Sequence, residues 1–459
     1  MNSPGLEVDI DLIRKYDVPG PRYTSYPTAP HFREDLPKEV VEEAIRANNQ
    51  SGAGPLSLYF HIPFCETLCW YCGCTTVIGK NKDRTARYLE ALDHEMRRKS
   101  AWIHPDREVV QVHFGGGSPT YLSPGQIRWL GLRIKEYFKL SEEAEIAVEI
   151  DPRRLTRDHV RALREAGFNR ASLGVQDNNE KVQQAINRIQ PPEMTAQVVR
   201  WLRDEGFRSI NVDLIYGLPH QSVASFAQTL DEVLRLEPDR FAVYTYAHIP
   251  WMKPAQKLLE RESLPGPEEK LAIQKYIVEH LTSKGYRYIG MDHYAREDNE
   301  LALAQESGTL RRNFQGYSTL AGVDIYSFGM SGISQIDDLY LQNPKELAEY
   351  MEAVYEEDFP IYKAYLLSED DQIRRGFIMA LMCNGRIDFR SLSEELGVDV
   401  GTYFHEDLAS LDELIDDGLI AVETDWLEVT DRGRLLLRNI CMPFDGHLQR
   451  GKGRYSRTI

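Results

Sequence analysis

The stretch SLYFHIPFCETLCWYCGC (57–74) decides the fold of this chain and carries its most specific chemical signal. Its first half is apolar and aromatic and predicts a buried strand over 56–64. Its second half places Cys65, Cys69 and Cys72 in a C-x3-C-x2-C spacing directly behind that strand, with a further thiol at Cys74. Four thiols crowded into ten residues indicate chemistry rather than a disulfide framework.

Three thiolates at this spacing can bind three irons of a [4Fe–4S] cluster and leave the fourth iron open to a small molecule. Three other interpretations compete with the cluster. A zinc site would normally take its second ligand pair from a separate loop. A redox pair formed by Cys69 and Cys72 would leave Cys65 and Cys74 unexplained, and buried apolar thiols would account for none of the spacing.

Outward from this stretch, short apolar runs alternate with helical patterns, as in chains of βα units. The predicted helices cover 84–100, 123–138, 221–236 and 267–285. The predicted strands cover 56–64, 109–117, 145–152, 170–176, 209–219, 240–250 and 286–295. This rhythm predicts an α/β fold with a full or partial (β/α) barrel, whose active site lies where the strands end.

Polar or glycine residues stand at most of those strand ends. They are Gly115 to Ser118, Glu149 with Asp151, Gln176, Asp213 with Tyr216, and Ala247 with His248. Any one of them is equally well explained as a helix cap or a turn residue. The segment HFGGGSPT (113–120) lacks the third glycine of a dinucleotide fingerprint, and the chain has no phosphate-binding G-x-x-x-x-G-K-[ST] loop.

Beyond about residue 365 the pattern becomes mostly helical and predicts a small winged-helix-like domain. Such domains often bind DNA, but the acidic third helix would repel phosphates, so a lid or docking role is favoured. The predicted division is an N-terminal strap and helix over the barrel mouth (1–50), a barrel (51–364) and the helical C-terminal domain (365–459).

Composition narrows the class of protein further. The 459 residues include 54 Lys and Arg against 71 Asp and Glu, a net charge of −17 that disfavours nucleic acid as a partner. The chain has no run of about 18 apolar residues, and its N-terminus does not resemble a secretion signal. We therefore expect a cytoplasmic protein without a membrane span.

Longer motifs resemble the oxygen-independent coproporphyrinogen III oxidases, a family of radical S-adenosylmethionine (SAM) enzymes. The similar segments include PGPRYTSYPTAPHF (19–32), HFGGGSPTYL (113–122), GFNRASLGVQD (167–177), NVDLIYGLP (211–219) and RNFQGYST (312–319). The resemblance implies a partial radical SAM barrel. It also implies a [4Fe–4S] cluster on Cys65, Cys69 and Cys72, with Cys74 outside the ligand set, and two SAM molecules per chain.

The resemblance assigns further residues to the two SAM molecules. Contacts to the first, cluster-bound SAM fall on Tyr59, Gly116, Glu149 and Ile333. A glycine at 116 lets a ligand approach the backbone closely, and a carboxylate at 149 suits hydroxyl or ammonium groups, although a rim salt bridge would also explain it. Contacts to the second SAM fall on Tyr71, Gly117, Ser118, Gln176, Arg188, Asp213 and Ala247.

The implied reaction converts two propionate side chains of coproporphyrinogen III into vinyl groups, with a flavodoxin- or ferredoxin-type electron donor and a monomeric enzyme. Candidate partners for the substrate are Arg22, Tyr23, Arg311 and Arg312, the first two in the strap PRYTSYPTA (21–29). Alternatives are an anaerobic haem-degrading methyltransferase and a haem-binding chaperone. Related chaperones carry an aromatic residue at the position of Cys74 and lack the strap, so both features favour the enzyme.

Overall fold

Parallel strands form the centre of the fold. The computed structural model describes residues 6, 8–50, 53–448 and 455, and within them seven strands of the main sheet run parallel. Six follow the order of the chain: β1 Leu56–Ile62, β2 Glu108–Gly116, β3 Lys139–Ile150, β4 Arg170–Gln176, β5 Ser209–Tyr216 and β6 Arg240–Thr245. The seventh, β7 (Asp324–Phe328), pairs with the other side of β1.

Antiparallel strands extend this sheet at both edges instead of closing it. Tyr286–Gly290 and His293–Arg296 lie beyond β6, while Ile333–Ile336, Leu339–Gln342 and Lys363–Leu366 lie beyond β7. The twelve strands therefore form an open, partial barrel, which confirms the predicted fold class.

Helices connect the parallel strands and cover the sheet. They are α1 Lys82–Ser100, α2 Pro124–Tyr137, α3 Arg157–Ala166, α4 Pro192–Asp204, α5 Val223–Leu234 and α6 Pro267–Ser283, with the shorter Glu180–Ala185 before α4. Local sequence explains their starts, because Ser123, Thr156 and Ser222 each form a capping box at the N-terminus of a helix. The strands are buried on both faces, as expected for parallel strands under helices.

Two sequence-based predictions about elements are wrong in detail. The strand predicted over 286–295 is a hairpin, because Met291 takes a left-handed conformation (φ 53°) and turns the chain back. The third C-terminal helix is three short helices, Val400–Tyr403, His405–Ala409 and Asp412–Asp416. It breaks at Phe404 and again at Ser410 and Leu411, where the backbone leaves the regular helical conformation.

The C-terminal region combines helices with a small sheet, as predicted. Helices Glu369–Asn384 and Phe389–Leu396 precede the three short ones, and Leu437–Cys441 ends the region. Its three-stranded sheet consists of Arg386–Asp388, Ile420–Val422 and Trp426–Val429.

The N-terminal segment packs into the C-terminal region. It contains helices Ile10–Lys15 and Lys38–Asn48 and a 3-10 turn at Ala29–His31. Tyr23 and Tyr26 are buried in the same apolar cluster as the C-terminal helices. The domain boundaries at 50 and 364 stay a prediction. In the described ranges no helix is both long and apolar enough to cross a membrane.

A buried ion pair joins α1 to the end of β7. Lys99 and Glu95 are 1% and 0% exposed, and the Lys99 Nζ lies 2.6 Å from Glu95 Oε1. Lys99 Nζ also donates to the Ser327 carbonyl at 2.8 Å, and Glu95 accepts from the Gly329 amide at 2.8 Å and from the Tyr350 hydroxyl at 2.7 Å. The Glu95 carboxylate therefore links α1 to the segments that contain Gly329 and Tyr350.

Replacing Lys99 with methionine would leave the Glu95 carboxylate buried without its cation. We expect Lys99→Met to lower the free energy of unfolding by about 3–5 kcal/mol, measured by urea denaturation. Arg97→Met, on the exposed side of the same helix, is the control and should change it by less than about 0.5 kcal/mol. Equal effects of the two substitutions would contradict the prediction.

Candidate active site

A cavity of about 400 Å³ opens where the parallel strands end. This volume lies within the ~300–1,000 Å³ typical of small-molecule sites, and the position is that of barrel active sites. Most of the residues predicted from the sequence line it: Cys65, Cys69, Tyr71, Cys72, Gly116, Gly117, Glu149, Gln176, Arg188, Asp213 and Ala247, together with Cys74.

The loop that carries the cysteines is held on both sides by backbone hydrogen bonds. On one side, the Gly117 amide donates to the Ile62 carbonyl at 2.9 Å and the Ser118 amide donates to the Phe64 carbonyl at 3.0 Å. On the other side, the Gly79 amide donates to the Cys65 carbonyl at 3.0 Å. The start of the loop is therefore fixed relative to β1 and β2.

The thiols of this loop are free and lie beside cations. Cys69 Sγ is 3.5 Å from Arg153 Nη2 and 3.7 Å from Arg188 Nη1. The Cys69 sulfur therefore has two positively charged neighbours. Within the described ranges, no three His, Cys, Asp or Glu side chains converge as they would around a single metal ion.

Glycine at 116 and 117 leaves the cavity wall as bare backbone. Gly116 has a φ of 110°, and a Cβ there would lie 2.7 Å from the ring of His61. A Cβ at Gly117 would lie 2.5 Å from the Pro63 carbonyl oxygen. The His61 ring cannot easily move away, since its Nε2 lies 2.9 Å from the Thr75 carbonyl and its Nδ1 3.1 Å from the Tyr59 hydroxyl. A ligand can therefore approach this backbone closely.

Glu149 presents a carboxylate to the cavity. Its Oε2 accepts from the Gly116 amide at 3.2 Å, and its Oε1 lies 3.2 Å from His113 Nε2. Burial acts to raise the pKa of Glu149, but the contacts with His113 and Gly116 hold it below its ordinary value. The group is therefore ionised at neutral pH and can accept hydrogen bonds from hydroxyl or ammonium groups.

Arg188 is a buried cation, 6% exposed, on the cavity wall. Its Nη2 donates to the Gly174 carbonyl at 2.6 Å, and its Nη1 lies 3.3 Å from Asp151 Oδ2. Burial acts to raise the pKa of Asp151, but Arg188 and Arg153 lower it to about 2. The Arg188 Nε is buried and has no hydrogen-bond partner within the described chain, which is unusual for a buried donor on a cavity wall.

Asp213 titrates near neutrality. Its carboxylate accepts from Ser172 Oγ at 2.9 Å and from Asn211 Nδ2 at 2.8 Å. Burial raises its pKa to about 7, against the effect of these hydrogen bonds. A perturbed carboxyl group in a cavity is typical of functional sites.

Three predicted SAM contacts do not line the cavity. Tyr59 lies behind the glycine wall, where its hydroxyl contacts His61. Ser118 faces Thr120, with 3.2 Å between their hydroxyl oxygens. Ile333 packs against a cluster that contains Phe32 and Tyr340.

The substrate candidates lie around the N-terminal segment. Arg22 forms an ion pair with Asp292 close to Tyr244, which lines the cavity. Tyr23 is buried, and its hydroxyl donates to Asp445 at 3.0 Å. Arg312 Nε donates to the Tyr23 carbonyl at 3.3 Å, whereas Arg311 Nη1 donates to the adjacent Leu310 carbonyl.

Sequence reasoning assigned no role to Arg153, His61 or His113. Arg153 belongs to the motif EIDPRRL (149–155), and its position two residues after a strand-end aspartate was the available signal. In the register of β1 and β2, His113 pairs with Tyr59 and His61 pairs with Gly115, two residues further along, so only the register reveals that the two histidines lie close together.

Comparison with known proteins agrees with this geometry. Residues 59–233 match the Radical SAM superfamily, and residues 367–436 match the HemN C-terminal domain. The oxygen-independent coproporphyrinogen III oxidase of Salmonella typhimurium is 45% identical over 462 residues and 100% of both chains, and that of Escherichia coli K12 is 44% identical over the same span. The solved structure of coproporphyrinogen III oxidase (HemN) from Escherichia coli superposes with a TM-score of 0.92 at 43% identity, covering 96% of this chain and 99% of that one.

The open barrel, the cysteine loop at its mouth and the family match define a radical SAM enzyme, a class that holds a [4Fe–4S] cluster and SAM. Within that class, the chain belongs to the oxygen-independent coproporphyrinogen III oxidases. The residues present fit both groups, since the free thiols, the bare backbone at Gly116 and the Arg188 guanidinium line one cavity.

The raised pKa of Asp213 predicts a pH-dependent stability. A carboxyl group whose pKa is raised on folding stabilises the folded state below its unfolded value near 3.8, and this contribution is lost as the pH rises through about 7. In the chain without bound cofactors, we expect the free energy of unfolding to fall by on the order of 2–4 kcal/mol between pH 4 and pH 8 through this group. Asp213→Asn should remove this decrease in the free energy of unfolding, measured by urea denaturation at each pH. The exposed control Asp412→Asn should retain the decrease. Identical pH profiles for both variants would contradict the prediction.

Proposed function

We propose that this chain converts two propionate side chains of coproporphyrinogen III into vinyl groups, giving protoporphyrinogen IX without oxygen. The full-length similarity to enzymes of that name carries the proposal, supported by the cavity at the strand ends. When bound, the cluster and SAM supply a 5′-deoxyadenosyl radical that can abstract a hydrogen atom from a propionate. The protein must bind and orient the partners and exclude water.

Cys65, Cys69 and Cys72 are the proposed cluster ligands. The Arg153 and Arg188 guanidinium groups, both beside Cys69, offset the negative charge of the thiolates. Cys74 is exposed at the outer side of the loop, and we propose that it is not a ligand.

We propose that two SAM molecules share the cavity. Glu149 and the backbone of Gly116 would hold the first, with Tyr59 and Ile333 acting from behind. Arg188 with its unpartnered Nε, and Asp213, would contact the second. The remaining proposed contacts to the second molecule are Tyr71, Gly117, Ser118, Gln176 and Ala247.

The carboxylates of the substrate need cations on a chain of net charge −17. We propose that Arg22, Arg311 and Arg312 serve this purpose, because Arg22 lies near the cavity and Arg312 lies next to the same segment. Tyr23, although predicted as a contact, is buried against Asp445, and its position supports an anchoring role for the strap.

The setting that we propose is a cytoplasmic monomer that takes electrons from a flavodoxin- or ferredoxin-type protein. The six cysteines are free thiols, which suits a reducing compartment. We also propose the division into strap (1–50), barrel (51–364) and C-terminal domain (365–459). The presence of Cys74 and of the strap favours the enzyme over a haem-binding chaperone.

Anaerobic incubation with SAM, a reductant and coproporphyrinogen III, followed by chromatography of the products, tests the function. We expect protoporphyrinogen and two equivalents of carbon dioxide. An intact cluster without product would favour the chaperone. A parallel incubation with haem in place of coproporphyrinogen III tests the other alternative, and methylated or ring-opened haem there would favour the degrading methyltransferase.

The ligand assignment predicts the iron content of four variants. Cys65→Ala, Cys69→Ala and Cys72→Ala should each lose the cluster, whereas Cys74→Ala should keep about four irons per chain, measured after anaerobic reconstitution. Loss of iron in Cys74→Ala to the same extent would contradict the assignment.

The role of Arg22 predicts an effect on substrate binding. A charge-assisted hydrogen bond to a propionate is worth about 1.5–3 kcal/mol, so Arg22→Ala should raise KM roughly ten- to a hundred-fold in steady-state assays. Asp292→Asn removes the ion pair but keeps the guanidinium, and it should raise KM far less. An equal rise of KM in the two variants would contradict a direct contact between Arg22 and the substrate, and would leave the ion pair with a structural role only.

A further inference from the structure

An open groove of about 1040 Å³ runs along the outer side of the cysteine loop. Cys72 and Cys74 form part of its wall and also line the cofactor cavity, so the groove and the cavity adjoin at the cysteine loop. Exposed Ile78 and half-buried Leu347 and Met351 add apolar surface to the groove.

The charge of this groove is opposite to that of the whole chain. Arg84, Arg87, Lys253 and Lys345 line it, and among the described lining residues the one carboxylate is that of Glu346. Arg84 and Arg87 are exposed one turn apart near the start of α1. A cationic surface on a protein of net charge −17 is a local feature that attracts anionic partners.

These cations have not been neutralised within the chain. Arg84, Arg87 and Lys345 form no ion pair among the described residues, and the Lys253 Nζ donates to the neutral carbonyl of Cys74 at 2.8 Å. Partial burial, together with the nearby ammonium groups of Lys363 and Lys253, lowers the pKa of Lys345. Like charges are therefore held close together, an arrangement that an incoming anion would stabilise.

A second groove, of about 560 Å³ on the Cys65 side of the loop, provides the contrast. Its arginines are paired within the chain: Arg153 lies 2.6 Å from Asp151, and Arg154 lies 3.0 Å from Glu66. Lys82 is the one further lysine or arginine among its described lining residues, so the groove that contains Cys74 has the larger excess of positive charge.

We propose that this cationic groove is the docking surface for an acidic one-electron carrier protein that reduces the cluster. The inference rests on the proposed cluster, and it names the partner and the face that the partner uses. One electron leaves the reduced carrier and enters the oxidised cluster, with no bond made or broken. Complementary charge would steer the acidic carrier to the groove, and the apolar residues would pack against it once it has docked.

The test measures cluster reduction and not product formation, so its outcome is separate from that of the proposed function. Reconstituted holoenzyme is mixed anaerobically with reduced flavodoxin, an acidic carrier used as the probe, and the loss of cluster absorbance is followed by stopped flow. In Arg84→Glu/Arg87→Glu we expect the rate to fall about tenfold or more at low salt, and to lose most of its dependence on ionic strength. Reduction by photogenerated deazaflavin radical, which is small and uncharged, should be unchanged.

The control Arg235→Glu/Lys284→Glu makes the same change in net charge at the opposite edge of the barrel, just beyond the ends of α5 and α6. It should leave reduction by flavodoxin within about twofold of wild type, because neither residue belongs to the groove and the surface that contacts the carrier is unchanged. An unchanged rate in the groove variant, or an equal fall in the control, would overturn the proposal. If the groove variant loses iron, Lys345→Glu on the facing wall replaces it in the same comparison.

Discussion

The close approach of two backbone segments at the ends of β1 and β2 is the constraint on which the site depends. The Gly117 amide meets the Ile62 carbonyl, and Gly116 lies against the ring of His61 with no room for a side chain. This contact fixes where the cysteine loop leaves β1, and it also leaves bare backbone on the cavity wall. The position of the thiols and access for the ligand therefore have one structural cause.

Positively charged side chains lie around the candidate site, although the chain as a whole is negatively charged. The protein is strongly acidic, yet Arg153 and Arg188 lie beside Cys69, and Arg22 lies near Tyr244, which lines the cavity. Thiolates, the carboxylate of SAM and the propionates of the proposed substrate are all anionic, and a negative field would disfavour each of them. Local cations, buried where the dielectric constant is low, reverse that field over short distances.

Structural features that depend on a single strand or on a short stretch of sequence could be predicted from the sequence. The predictions included six of the seven parallel strands of the main sheet, the cysteine loop and the polar strand ends, because strand periodicity and thiol spacing are local signals. Strands towards one edge of the sheet were not predicted, and the hairpin at the other edge was predicted as a single strand over 286–295. The strands from Asp324 to Leu366 carry weak patterns, and the hairpin at Met291 depends on a backbone turn that no glycine or proline at that residue announces. The contacts of His61 and His113 depend on strand register, which periodicity does not provide.

Contacts with the strap show how the C-terminal region fixes the position of Arg22 without lining the cavity. Tyr23 has a left-handed backbone (φ 47°), so its side chain enters the C-terminal core while Arg22 stays near the cavity. Arg438 Nη2 donates to the Gly20 carbonyl at 2.6 Å and its Nε donates to the Pro21 carbonyl at 3.0 Å, which fixes the chain just before Arg22. The guanidinium is therefore positioned by folding, before any substrate arrives. In the proposed role of Arg22, ordering this side chain would add little to the entropy lost on binding, so more of its interaction with a propionate would be available as affinity.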